Sequence, residues 1–269
     1  MDFKVSEAIA EGLNLPLKTV WFENELGEEN DPVQEIYALL AYGLCDMAPS
    51  HPLYVPAIGA SIAETGPLPR WLGMPETIDA ETQRSVAAHL PHVQLEPITV
   101  TQPYMRAEIG LVYTTDTQEP KGLNSLMGRK VAYQQNTMSG AILLVNAPDI
   151  AAVAQTFNPG PRFLWNLETG IADVAIVDVA AYDSHKKHNQ ISTLELANWR
   201  HPIGMDIGIA LLERNSVLAA AIDSQINQLH EANAFADFAR HEGVTYKKPG
   251  FAGPQRSLTL QSLLSAGDQ

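Results

Sequence analysis

Hydrophobic and polar positions alternate in helical and strand periods through the first fifty residues. Apolar side chains in residues 5–13 fall on one face of a helix, and residues 17–22 alternate in the period of a strand. A second amphipathic helix starts at Asp31-Pro32, an N-cap followed by a first-turn proline, and ends at Gly43. Residues 45–48 then form a short predicted strand. The chain therefore opens with two helix–strand units.

The pattern is interrupted over residues 49–100, where eight prolines fall. We predict mostly loop there, with a helix across residues 80–89. Further α/β units follow. The predicted strands are 110–114, 130–133, 174–177, 192–196 and 207–212, and the predicted helices are one near Ser139, then 150–157, 161–167 and 218–229.

One pattern occurs twice. Residues 40–46 and residues 167–173 both read Leu-x-x-Gly-x-x-Asp, between an amphipathic segment and an apolar run. Glycine is favoured just past a helix end, where φ is often positive. The repeat predicts one helix–turn–strand unit in each of two similar α/β lobes. Two such lobes leave a cleft that suits a small molecule.

Composition narrows the possible partners. The chain of 269 residues has 31 acidic and 17 basic residues, a formal net charge of -14, which argues against nucleic acid and anionic membrane surfaces. Its single cysteine, Cys45, excludes an intrachain disulfide. No metal-binding or cofactor motif is evident in the sequence, and we expect a monomer without a cofactor.

Five short motifs, in this order, resemble those of the bacterial extracellular solute-binding proteins that include the polar amino-acid binders of ABC transporters. They are an opening helix DFKVSEAIA at 2–10, a Gly-x-x-Asp turn at 43–46, TQPY at 101–104, LMGRKV at 126–131 and GIADVAIVD at 170–178. The resemblance implies a two-lobe, type II periplasmic-binding-protein-like α/β fold with two crossovers. It implies a periplasmic protein that closes on a small polar, amino-acid-like ligand and delivers it to ABC-transporter membrane subunits.

The same resemblance sets the expected lobes. Residues 1–108 and 206–269 would form the first lobe and residues 109–205 the second, with hinges near 104–112 and 200–208. Residues 50–99 exceed the usual connection and form an insertion. Family members have a strand before the opening helix, so we expect the first lobe to be N-terminally truncated here. We expect the natural reading frame to continue upstream of Met1 with that strand and a signal peptide.

Candidate ligand-binding residues in the second lobe are Asp178, Thr137 and Ser139. Asp178 ends a buried apolar strand, and its family counterpart takes an α-ammonium group; alternatively it caps the next helix. Thr137 and Ser139 stand at a helix N-terminus, where free N–H groups and the helix dipole favour an anion. The family binds the ligand carboxylate through this turn. Ordinary N-capping is the alternative.

In the first lobe the candidates are Arg84 and Ser50. Arg84 resembles the family's carboxylate clamp, since a guanidinium can pair bidentately with a carboxylate; a solvent-exposed helical arginine is the alternative, and Arg70 is the second choice for the clamp. Ser50 follows the first-lobe strand, where family members present polar contacts. Tyr104 is expected to be a hinge and packing residue.

Two other functions stay open. Residues 102–106 and 205–209 are similar to binding-protein homologues encoded with periplasmic quinoprotein alcohol dehydrogenases, which implies an accessory protein whose partner is the dehydrogenase. The 50–99 insertion would then be the partner surface. Cyclohexadienyl dehydratases also resemble this family, but they add acid/base carboxylates that we do not assign here.

Overall fold

A computed structural model describes residues 1–23, 32–53, 65–72, 92–135, 137–158, 160 and 162–250. The helices are α1 (Asp2–Gly12), α2 (Pro32–Ala41), α3 (Met138–Asn146), α4 (Pro148–Ala151), α5 (Phe163–Glu168), α6 (Val179–His188), α7 (Ser216–Glu231) and α8 (Ala234–Glu242).

The strands are β1 (Phe22–Glu23), β2 (Ala48–Pro52), β3 (Thr65–Pro67), β4 (Arg70–Trp71), β5 (His92–Gln94), β6 (Ile98–Val100), β7 (Met105–Thr114), β8 (Val131–Gln134), β9 (Gln155–Phe157), β10 (Val174–Asp178) and β11 (Leu194–Leu212). Within the described residues, no helix is long and apolar enough to cross a membrane.

A seven-stranded mixed sheet organises the molecule. Its order is β2-β11-β7-β10-β8-β9, and β6 pairs with another part of β11. The pairs β10–β8 and β8–β9 are parallel, whereas β11 is antiparallel to β2, β6 and β7. Two small two-stranded sheets, β1–β4 and β3–β5, complete the strand pairing.

Two long strands connect the ends of this sheet. The first part of β7 pairs with residues 204–207 of β11, and its later part, residues 109–113, pairs with β10. The 19-residue β11 runs back in the opposite direction and pairs with β2 and β6. The β11–β7 register shifts between Leu196 and Gly204. The chain therefore crosses between the two ends twice, as a type II fold requires.

Separate hydrophobic clusters lie at the two ends. At the β8–β9 end, α3 and α4 pack Ile142 and Ile150 into one cluster, and α5 packs Leu167 into another. At the β2–β6 end, one cluster joins α1, α7 and α8 to β11, and another joins α2 to β6 and β11. Each buried aliphatic side chain stabilises the fold by roughly 1.5–3 kcal/mol relative to exposure.

The repeated glycine turn is confirmed. Gly43 and Gly170 have φ of +80° and +77°. Each follows a helix, α2 or α5, and the N–H of each donates to a carbonyl three residues earlier. A side chain at these positions would be strained.

Several sequence-predicted elements differ in the structure. Residues 150–157 are not one helix, because α4 ends at Ala151 and residues 155–157 pair with β8 as β9. The strands predicted at 192–196 and 207–212 are parts of the single strand β11, and α8 was not predicted. Of the predicted strands 17–22 and 45–48, only Phe22 and Ala48 lie in strands. The predicted cap Asp31 and the helix at 80–89 lie outside the described residues.

Candidate ligand-binding cleft

A cleft of about 550 Å³ lies where the two crossover strands pass between the ends of the sheet. It is lined by the start of α1 with β2, by the crossover strands β7 and β11, by one face of α6, and by the segment at the end of α8. Its lining side chains include Asp2, Ser50, Met105, Asp178, Asp183, Lys187, His188, Met205, Ile207 and Glu242.

Asp178 is placed by the junction of a strand and a helix. It is the last residue of β10 and the N-cap of α6, and its Oδ1 accepts a hydrogen bond from the Ala180 N–H at 2.9 Å. Burial raises the pKa of its carboxyl, the Ala180 bond opposes that rise, and the nearby Asp183 charge adds to it. Within the described residues no hydrogen bond to Oδ2 is found. The Asp178 side chain therefore both caps α6 and lines the cleft.

One turn later, Asp183 joins α6 to the segment that follows α8. Its Oδ2 accepts from the Thr245 N–H at 2.6 Å, and its Oδ1 accepts from the Thr245 hydroxyl at 3.1 Å. The residue is 8% exposed. Burial raises the pKa of Asp183, while the Thr245 bonds and the Arg200 charge oppose that rise.

An ion pair spans the same side of the cleft. Lys187 Nζ of α6 lies 2.8 Å from Glu242 Oε2 at the end of α8. Hydrogen bonds from Lys187 and His241 lower the pKa of Glu242 to about 2. The neighbouring His188 ring Nδ1 lies 2.7 Å from the Ser184 carbonyl oxygen one turn earlier. The Lys187 ammonium at this rim is therefore already paired with the Glu242 carboxylate.

On the opposite side, Asp2 organises the start of α1. Its Oδ1 accepts from the Tyr104 hydroxyl at 2.7 Å, and its Oδ2 accepts from the Ser50 hydroxyl at 2.6 Å. The Ser50 N–H also donates to the Tyr104 oxygen at 2.9 Å, and Ser50 has a φ of +62°. Tyr104 is fully buried, and burial followed by the Asp2 charge raises its pKa well above the ordinary value. Ser50 is therefore held at the cleft by two side chains.

The crossover strands contribute an apolar floor, which consists of the side chains of Met105, Met205 and Ile207. The charges above it are mainly carboxylates, and the Lys187 cation faces Glu242. An apolar floor with fixed carboxylates favours a small ligand that carries an ammonium or another cationic group.

An ion pair joins the two crossover strands beside the cleft. Arg106 Nη1 of β7 lies 3.1 Å from Oδ1 of Asp206, a fully buried carboxylate on β11. Gly250 N–H donates to the same oxygen at 3.2 Å, and the Lys247 carbonyl accepts from the Arg106 N–H. The segment after α8 therefore contacts both crossover strands.

Asp178 and Ser50 line one cleft, and Thr137 and Ser139 stand at the N-terminus of α3. Thr137 Oγ1 caps α3 by accepting from the Gly140 N–H at 3.1 Å, and it donates to the Gln134 carbonyl at 2.7 Å. Ser139 is buried, with its Oγ 3.0 Å from that of Thr137. Neither lines the cleft as the structure describes it. The capping alternative is observed for Thr137, and the ligand role of both residues stays a prediction.

The structure describes only one of the two arginines considered for the carboxylate clamp. Arg84 lies outside the described residues. The alternative, Arg70, is on β4 opposite Glu23 in the β1–β4 pair and is not among the described lining residues. Among the described residues, no group of three His, Cys, Asp or Glu is placed to hold a metal ion.

Sequence reasoning missed Asp2, Asp183, Lys187 and Glu242. Asp183 and Lys187 were detectable, since they lie five and nine residues after Asp178 along α6. Asp2 and Glu242 carry no such signal, because their place at the cleft depends on how α1 and α8 pack on the sheet.

No protein-family model and no curated protein matches the chain, whereas solved structures match it along most of its length. An ancestral arginine-binding protein bound to arginine is 19% identical, with a TM-score of 0.55 over 89% of this chain and 86% of that chain. An amino acid ABC transporter substrate-binding protein from Streptococcus pneumoniae, bound to L-arginine, is 15% identical, with a TM-score of 0.56 over 91% and 84%.

A histidine kinase sensor domain with similarity to periplasmic binding proteins is 16% identical, with a TM-score of 0.54 over 92% of this chain and 87% of that chain. At these identities the likeness concerns the fold. The chain has the two-crossover α/β fold of periplasmic binding proteins, and the structures similar to it include amino-acid-binding substrate-binding proteins.

Proposed function

We propose that this chain is a solute-binding protein whose cleft closes on a small polar ligand that carries an ammonium group, such as an amino acid. The observation that carries the proposal is the position of Asp178. Its carboxylate ends a buried strand at the cleft, and Oδ1 is held by the Ala180 N–H. A ligand ammonium at Oδ2 would complete the carboxylate and offset the cost of its burial.

We further propose that the binding lobes are residues 1–108 with 206–269, and residues 109–205. The separate hydrophobic clusters at the two ends of the sheet support this division. The register shifts of β11 between Leu196 and Gly204 support a hinge there, because an interrupted ladder bends more readily than a regular one.

An ABC importer in the cytoplasmic membrane is the proposed recipient of the ligand, and the periplasm is the proposed location. The support is the fold shared with ABC substrate-binding proteins. The alternatives of a dehydrogenase accessory protein and a dehydratase-like enzyme stay predictions from sequence.

A thermal-shift screen against the twenty amino acids and simple amines tests the binding role. We expect at least one amine-bearing compound to raise the melting temperature of the purified chain, since a ligand that binds only the folded state stabilises it. The Asp178→Asn variant should lose that shift, and Asp149→Asn, an exposed change on α4, should keep it. A shift that survives in Asp178→Asn would reject Asp178 as the ligand partner.

A further inference from the structure

Ser50 has a backbone conformation that serine rarely adopts. Its φ of +62° lies in the left-handed region, where a residue with a Cβ is strained. It also stands in a bulge, because Pro49 and Ser50 of β2 together face one residue of β11, Ile209. Bulges are frequent next to functional sites, where they re-aim a side chain, and Ser50 lines the cleft. This conformation needs contacts that hold it in place.

The Tyr104 hydroxyl provides such a contact. Its oxygen accepts a hydrogen bond from the Ser50 N–H at 2.9 Å, and the whole Tyr104 side chain is buried. The backbone around Tyr104 is fixed as well. The Gln102 N–H donates to Asp223 of α7 at 2.6 Å, and the Tyr104 N–H donates to the Ile207 carbonyl of β11 at 2.9 Å. Tyr104 therefore offers its hydroxyl to Ser50 from a rigid support.

Asp2 closes a ring of hydrogen bonds with these two residues. The Tyr104 hydroxyl has one proton, which it donates to Asp2 Oδ1 at 2.7 Å. The Ser50 hydroxyl donates its own proton to Asp2 Oδ2 at 2.6 Å. Both donors of Ser50, its N–H and its O–H, are therefore used inside the ring. Toward the cleft, its hydroxyl oxygen can accept a hydrogen bond but cannot donate one.

We propose that Tyr104 and Asp2 are positioning residues for the binding cleft. They hold Ser50 in the bulge and orient its hydroxyl oxygen as an acceptor, so that the wall formed by β2 binds a hydrogen-bond donor of the ligand, an N–H or O–H group. Asp178 on the other wall also offers a carboxylate oxygen, and the two walls together favour a ligand with several donors. This inference rests on the proposed solute-binding function, because it assigns what the second wall of the same cleft recognises.

Tyr104→Phe tests the role, because it keeps the buried ring and removes only the hydroxyl. Affinity is measured by calorimetric titration with the compound that gives the largest melting-temperature shift among the twenty amino acids and simple amines. We expect the affinity to fall about tenfold or more, as when a hydrogen bond to a charged group is lost. Tyr113→Phe is the matched control, since it removes another buried hydroxyl, which donates to Glu195 Oε2 at 3.0 Å. The control should lower the melting temperature and leave the affinity unchanged.

A double cycle distinguishes positioning from a purely structural role. If Tyr104 acts through Ser50, the loss caused by Tyr104→Phe should largely disappear in a Ser50→Ala background, where the positioned hydroxyl is already absent. Ser50→Gly should melt a few degrees higher than Ser50→Ala, since both lack the hydroxyl but glycine adopts a φ of +62° without strain. If Tyr104→Phe does not fold, Asp2→Asn replaces it in the cycle, because an amide nitrogen cannot accept the Ser50 proton. The exposed Glu11→Gln on the same helix is the control for that variant.

The outcomes separate this inference from the proposed function. An affinity loss in Tyr104→Phe that disappears in the Ser50→Ala background would support the positioning role. An unchanged affinity in Tyr104→Phe, a loss of the same size in both backgrounds, or an equal loss in Tyr113→Phe would overturn it and leave the solute-binding role intact. If no compound binds the unchanged chain, the proposed function fails and this inference fails with it.

Discussion

Asp183 on α6 accepts two hydrogen bonds from Thr245, one from the backbone N–H at 2.6 Å and one from the hydroxyl at 3.1 Å. These bonds fix the segment after α8 to α6, on the same side of the cleft as the Lys187–Glu242 ion pair. The proposed closure of the cleft must therefore move α6 and this segment together, or break the contact.

Thr245→Val tests this contact because it removes the hydroxyl and keeps the backbone N–H. A hydrogen bond to a carboxylate contributes about 1.5–3 kcal/mol. We expect the free energy of unfolding in urea to fall by about that amount, and amide exchange over residues 244–250 to become faster. The exposed Thr193→Val serves as the matched control. Equal stability of the two variants would show that the hydroxyl contributes nothing.

Lys187→Met should raise the pKa of Glu242 from about 2 toward its ordinary value of 4.5, because Lys187 is the main cause of the depression. His241 still donates to the carboxylate, so the rise should be partial. Since the folded pKa is depressed, the contribution to stability is present above about pH 4.5 and is lost as the pH falls toward 2. A carboxyl titration by NMR measures it, with the exposed Lys121→Met as control; an unchanged titration would contradict the assignment.

His201 should make stability depend on pH with the same sign, in a higher pH range. The ring is 5% exposed, accepts from the Ile203 N–H at 3.2 Å, and has a pKa lowered by burial from 6.5. The unfolded chain therefore takes up the proton first as the pH falls below about 6.5, and the free energy of unfolding decreases. Urea unfolding at several pH values should show a shallower decrease in His201→Phe. The same slope in both proteins would exclude His201 as its source.

Asp178→Asn should stabilise the ligand-free protein at pH 7. Burial raises the pKa of this carboxyl, so its charged form is disfavoured, and asparagine keeps an oxygen for the Ala180 N–H without a charge. A gain of about 1 kcal/mol corresponds to a rise in melting temperature of roughly 2–4 °C in a chain of this size. Differential scanning calorimetry without ligand measures it. A lower melting temperature would mean that the charge itself holds the α6 N-terminus.

The sequence predicted turns and helix caps, because their geometry depends mainly on residues that are close together in the chain. Gly43 and Gly170 gave the two turns and the junction at Asp178 gave its helix cap, whereas its cleft position was expected from the family resemblance. The continuity of β11 was hidden because polar residues and Pro202 interrupt its hydrophobic pattern, while the ladder with β7 continues on either side of the register shifts.

Other features depend on partners far away in sequence. Residues 17–20 have strand periodicity but lack a neighbouring strand in the described structure, so periodicity alone overpredicted a ladder. The contacts of Asp2 with Ser50 and Tyr104 span 48 and 102 residues. Thr137 caps α3, which was the alternative to its ligand role, and neither Thr137 nor Ser139 is among the described residues that line the cleft.

The central claim is that the Asp178 carboxylate binds a ligand ammonium, and calorimetric titration in a double cycle tests it most directly. The amino acid with the largest thermal shift and its 2-hydroxy analogue, which lacks the ammonium, are each titrated into the unchanged chain and into Asp178→Asn. The claim predicts that either change alone costs on the order of 2–5 kcal/mol and that the second change adds little, because both remove the same charge pair. Fully additive losses, or equal binding of the amino acid by both proteins, would contradict it.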